Sequence, residues 1–120
     1  MSDEIRVRVF DIVGGPLCVS AEDGQAVHDK IAPLLRDGRK VVLSFEKVET
    51  AISAFLNAAV GQLYGEFSED QIRELVSVRD MTQEDLVLLK RVVENAKAYF
   101  RDPERYRRAV QPISEDDHEE

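Results

Sequence analysis

The run VVLSFEKVETAISAFLNAAVGQLYGEF, residues 41–67, decides how this chain folds. Although 33% of the 120 residues are charged, none is charged from Thr50 to Gly65. Val41, Val42 and Leu43 form a short apolar run rich in β-branched residues, the pattern of a strand buried on both faces in the middle of a sheet. Beyond the link Glu46-Lys47-Val48-Glu49, the residues Phe55, Leu56, Ala59, Val60 and Leu63 recur at helical spacing. They predict a helix from about Ile52 to Tyr64, ended by Gly65. Its apolar arc is wide and belongs to the core, whereas Ser53, Asn57 and Gly61 stand four apart and line one side with small or polar groups. That uncharged stripe is the candidate surface for a partner.

The flanking segments supply the other layers. Ile5, Val7 and Val9 alternate with Arg6, Arg8 and Phe10, as in a half-buried strand. Gly14-Gly15-Pro16 then turns the chain, so that Leu17 to Val19 is expected to return in a hairpin. Ser20 caps a helix with Val27, Ile31, Leu34 and Leu35 on one face and Gly38 as its stop; Pro33, lacking an amide proton, is expected to kink it. His28, beside that stripe and with no second histidine near it, reads as a satisfied or solvent-edge side chain and not as a metal ligand or base. Ser68-Glu69-Asp70-Gln71 starts one or two helical turns that lead to a strand near Val76 to Arg79. Thr82 caps the last long helix, with Leu86, Leu89, Val93, Ala96 and Phe100 as its core face. Asp102-Pro103 opens a short final helix that Pro112 ends.

Strands alternating with helices predict an α/β fold, a mixed β-sheet packed against helices in a single domain over residues 1–112. Residues 113–120 read as an acidic disordered tail. The net charge of -8 opposes binding to a phosphate backbone, so no nucleic acid is expected as partner. No apolar run approaches the ~20 residues of a membrane span, and the acidic start lacks the pattern of a secretory signal, which predicts a cytoplasmic protein with no membrane partner. The single Cys18, set between Leu17 and Val19 without a basic neighbour, reads as a buried, inert thiol. Gly14 and Gly15 do not stand in a phosphate-binding spacing, and no nucleophile elbow accompanies Ser53 or His28. The expectation is a non-catalytic protein without cofactor or metal.

The stretch VVLSFEKVETAISAFLNAAV resembles the core strand and following helix of STAS domains, the fold of anti-sigma-factor antagonists, whose pattern runs V-V-L-D-L-x-x-V-x-x-I-D-S-S-G-L-x-x-L-L. Val41, Val42, Leu43, Val48, Ser53 and Leu56 match it without gaps. The pieces GQAVHDKI, LSF, KVE, SAFLNAAVGQLYGEF and ENAKAYFRDP are closer still to a STAS-like domain family of unknown function, over roughly residues 15 to 110. The resemblance implies a signalling module that binds a protein partner, a histidine-kinase-like ATPase or another regulator, with Ser53 at the position of the phosphorylated serine. Ile52, Ala54 and Phe55 replace the other residues of D-S-S-G, and Ser44 replaces the strand-end aspartate.

Two readings of Ser53 stay open. As a helix cap its hydroxyl would contribute about 1 kcal/mol. Phosphorylated, it would place about -1.5 to -2 charges on a partner surface. Thr50, three residues earlier, is a rival for both roles. A constitutive scaffold or homo-oligomeric accessory subunit without a switch is the alternative to the signalling module.

Overall fold

The computed structural model describes residues 4–102. In chain order the elements are β1 (Ile5–Arg8), α1 (Val9–Val13), β2 (Leu17–Cys18), α2 (Ala21–Arg36), β3 (Val41–Ser44), β4 (Thr50–Ala51), α3 (Ser53–Ala59), a 3-10 turn (Gly61–Gly65), α4 (Glu69–Leu75), β5 (Val76–Arg79) and α5 (Gln83–Arg101). Three strands form a sheet in the order β1-β3-β5, and β2 and β4 form a separate ribbon. The α/β fold class and the single-domain layering follow the expectation. The final helix at Asp102-Pro103 and the acidic tail lie outside the described residues.

β3 is the central strand, as its apolar run requires, and all four of its residues are buried. The two faces differ in chemistry. Val7, Val9, Val41, Leu43 and Phe45 join the main core, with Ile5, Val76 and Val78 packed against it. Arg6, Arg8, Ser44, Ser77 and Arg79 alternate with these and fall on the opposite face, together with Val42. At the end of β3 the fully buried Ser44 donates to Asp80 Oδ2 at 3.0 Å and accepts from Arg6 Nη2 at 3.2 Å and from the Glu46 amide at 3.3 Å. One hydroxyl thereby links a side chain of β1, the end of β3 and the residue after β5.

The expected hairpin is not formed. Val9 to Val13 wind into α1, closed by Gly14 at φ 88°, a left-handed conformation that glycine adopts without steric cost. β2 then pairs in parallel with β4, Leu17 opposite Thr50 and Cys18 opposite Ala51. Every strand pairing among the described residues is parallel. An alternation read over 5–10 cannot show that its second half is wound, because Val9 is buried equally well on either path.

Ser20 caps α2 by accepting from the Asp23 amide at 3.0 Å, and α2 continues through Pro33, which lies on its exposed side. Against α2 lies α3. A Cβ on Gly24 would strike the carbonyl oxygen of Phe55 and stand 2.9 Å from the Ala58 side chain, so glycine sets how close the two helices come. α3 is shorter than predicted: after Ala59 the chain tightens into the 3-10 turn, whose Gly61 and Gly65 lie against Asn57 and Phe100.

Of the two expectations for His28, the satisfied side chain holds and the solvent-edge one does not: it is 6% exposed. Its Nε2 stands 2.9 Å from Glu66 Oε2 and its Nδ1 3.0 Å from Asp29 Oδ1. Gln25 donates to Asp29 at 3.0 Å, and Gln62 donates to Gln25 at 2.7 Å. This network fastens the 3-10 turn to α2.

α4 begins with a capping box between Ser68 and Gln71, and α5 with the Thr82 hydroxyl accepting from the Asp85 amide at 3.1 Å. The core face of α5 is Leu89, Val92 and Ala96. Leu86 and Phe100, expected in the core, are 41% and 40% exposed. A helix of 19 residues reaches past both ends of the core it covers, so its periodic stripe is longer than the buried part.

Gly24→Ala is expected to destabilise the fold by about 1–3 kcal/mol in urea unfolding, despite the ~1 kcal/mol that alanine gains in an unconstrained helix. The hydrogen bonds from His28 and Gln25 hold the Asp29 carboxyl below its usual range. A lowered folded value means stability that is present above the unfolded value of about 3.9 and lost as pH falls through the folded one. The stability gap between wild type and Asp29→Asn is therefore expected to stay constant at neutral pH and to close below about pH 4, measured by denaturant titration across pH.

Candidate functional site

The ribbon and the start of α3 form one surface. The Pro16 carbonyl accepts from the Glu49 amide at 2.8 Å and from the Thr50 amide at 3.3 Å, and the Cys18 carbonyl accepts from Ile52 at 3.1 Å. Strand alternation turns Cys18 and Ala51 inward, where they are 0% and 6% exposed. Leu17, Val19 and Ile52 are turned outward and are 52%, 48% and 38% exposed. Thr50, Ser53 and Ala54 are exposed beside them. Three large apolar side chains are thus exposed on the ribbon and immediately before the serine, on segments free of charge.

Ser53 is the first residue of α3, and Ile52 holds the cap position. No side chain caps this helix, so the capping role expected for Ser53 or Thr50 is corrected. An isoleucine side chain has no acceptor, and Ser53, already inside the first turn, is one residue past the position from which a hydroxyl accepts from the amides two or three residues on.

The stripe divides. Ser53 and Asn57 are exposed on α3, but Gly61 lies beyond its end and is buried. Asn57 faces a cleft of about 230 Å³ shared with Gln62, Asn95, Ala96, Tyr99 and Phe100, so it belongs to the side of α3 that meets α5. Thr50 and Ser53 share the ribbon surface; Asn57 and Gly61 share the cleft side.

Cys18 is fully buried beneath the ribbon, and its thiol is pushed up to about 11, first by burial and then by the charges of Asp23 and Asp85. A thiol held so far above neutral pH carries no thiolate for nucleophilic attack. Among the described residues no group of three or more His, Cys, Asp or Glu side chains could hold a metal ion, and no helix is long and apolar enough to cross a membrane. Arg101 lies at the far end of α5 in a two-pronged pair with Glu69, at 2.9 and 3.0 Å.

The exposed residues Leu17, Val19 and Ile52 were not legible as site residues, since alternation marks them as strand members without saying which face is covered. Asn95 and Tyr99 lie on a helix whose charged side looks uniformly solvated.

The model of the STAS-like domain of unknown function (DUF4325) matches residues 23–86. The chain belongs to this family. Neither curated proteins nor solved structures give a match. The matched region of the STAS-like domain runs from the first turn of α2 to the first turn of α5 and is narrower than the 15 to 110 expected. It includes β4, Ser53 and α3 but not β2 or most of α5. Where the STAS pattern has its strand-end aspartate, Ser44 stands beside Asp80, so a carboxylate is present there but comes from the end of β5.

With no cap to lose, Ser53→Ala is expected to leave stability within about 0.5 kcal/mol of wild type by thermal or urea unfolding.

Proposed function

We propose that this STAS-like domain is a non-catalytic protein-protein interaction module of bacterial signalling, docking its partner on the ribbon and the start of α3. The observation that carries this reading is the exposure of Leu17, Val19 and Ile52 beside the uncharged Thr50-Ser53-Ala54 surface. Apolar groups left in water next to one another are what a partner buries, at roughly 25 cal/mol per Å² removed from water.

The serine at the edge of this surface makes the contact switchable. A neutral hydroxyl at the edge of an apolar interface is cheap to cover, whereas a phosphate there must be stripped of water without a cation to receive it. Arg and Lys are absent from 48–72, so no residue near Ser53 in sequence offers a countercharge. By family likeness the partner is a histidine-kinase-like ATPase or another regulator that reads this surface. A constitutive scaffold would use the same apolar face without the serine's control.

The test is affinity co-purification from the native cell with wild type, Ser53→Ala, Ser53→Asp and Leu17→Arg, each first shown to be folded. A partner retained by wild type and alanine but lost with aspartate and with Leu17→Arg supports the switchable surface. Loss with Leu17→Arg alone supports the scaffold, and retention by all four places the partner on another face.

A further inference from the structure

Where α3 and the 3-10 turn meet α5, three carboxamides from three elements come together. Asn57 comes from α3, Gln62 from the 3-10 turn and Asn95 from α5, around a cleft of about 230 Å³ that Ala96, Tyr99 and Phe100 also line. None of these six side chains is charged at neutral pH. The Tyr99 and Phe100 rings meet edge to face, with centroids 4.9 Å apart and planes at 79°. Gly61 lies behind two of the lining residues: a Cβ on Gly61 would strike Asn57 Oδ1 and stand 3.6 Å from the Ala96 methyl. The missing side chain at Gly61 is what seats the Asn57 carboxamide.

Two of these amides, Asn57 and Asn95, are not structural fasteners of the cleft. Gln62 is oriented by donating to Gln25 Oε1 at 2.7 Å and to the Ala58 carbonyl at 3.0 Å. Asn57 and Asn95 lie inside helices, where asparagine is unfavourable because its side chain competes with the backbone. Neither contributes a side-chain hydrogen bond to the fold among the described residues. Their exposed donors and acceptors therefore face the cleft and solvent.

We infer that this cleft binds an uncharged planar heterocycle with both donors and acceptors on its edge, the chemistry of a nucleobase. Carboxamides offer a matched pair of donor and acceptor to such an edge, and the aromatic rings offer flat apolar contact. A charged ligand would meet no countercharge among the lining groups. A purely apolar ring would cover the amides without giving them partners. The volume, below the range of about 300–1,000 Å³ typical of larger small-molecule sites, suits one ring system and leaves any attached sugar outside.

The test uses the full chain. Adenosine, guanosine, cytidine and uridine are titrated separately in amide proton-nitrogen NMR spectra, with toluene as the apolar ring and adenosine monophosphate to ask what an attached phosphate does. At least one nucleoside is expected to shift the signals of Asn57, Gln62, Asn95 and Ala96 saturably. Asn95→Ala, an exposed change that favours the helix, is expected to weaken that binding about tenfold with the rest of the spectrum unchanged. Gly61→Ala, which displaces the Asn57 carboxamide, is expected to weaken it as well. Equal binding of the monophosphate assigns the site to the base of a nucleotide as readily as to a free nucleoside; weaker binding assigns it to the uncharged molecule. Three results would overturn the proposal: no saturable shift with any nucleoside up to about 5 mM, shifts unchanged in Asn95→Ala, or toluene binding as tightly as the nucleosides.

Discussion

The approach of α2 to α3 at Gly24 governs much of this molecule. With no side chain at that position, the carbonyl of Phe55 rests on the α2 backbone and the Ala58 methyl fits beside it. Phe55 and Leu56 are thereby driven to full burial, and the opposite side of α3, with Ser53, Ala54 and Asn57, is left in solvent. A helix-interior glycine is locally unfavourable by about 1 kcal/mol relative to alanine. Here the close helix contact outweighs that cost.

The sheet shows a second constraint. Parallel strands are ordinarily covered on both faces, yet here one face carries the core and the other carries Arg6, Arg8, Ser77 and Arg79. Ser44 resolves this at the carboxyl ends of the strands, where its hydroxyl joins Arg6 of β1 and Asp80 after β5. Burying a serine without partners would cost more than it stabilises; with three hydrogen-bond contacts it is held. Asp80, at φ 66°, adopts a left-handed conformation that an aspartate tolerates better than most residues.

Two surfaces then stand along one short helix, one at its start and one farther on toward α5. The ribbon side is apolar beside a serine and suits a protein. The α5 side is a small amide-lined cleft and suits a flat polar molecule. The cleft depends on α3 ending at Ala59, because the tightened 3-10 turn seats Gly61 against Asn57 and brings Gln62 and Leu63 back toward α2 and the core. A helix continued regularly to Tyr64 would place Gly61 on the same exposed line as Ser53 and Asn57.

Much of the architecture was legible in local pattern. The apolar run Val41-Val42-Leu43 fixed a central buried strand; Ser20, Ser68 and Thr82 marked three helix starts; the strand at Val76 followed from its short neighbour. These signals are carried by residues adjacent in sequence, and their chemistry acts within one turn or one strand. What the tertiary structure decided is which partner each element met. β2 pairs with β4 across more than thirty residues instead of folding back on β1, and only that pairing turns Leu17, Val19 and Ile52 to solvent beside Ser53. The cleft gathers Asn57, Gln62 and Asn95 in the same way, from segments whose spacing in the chain says nothing of their proximity. Helix caps and strand periods are short-range and can be read from the sequence, whereas a surface is defined by what the rest of the fold leaves uncovered.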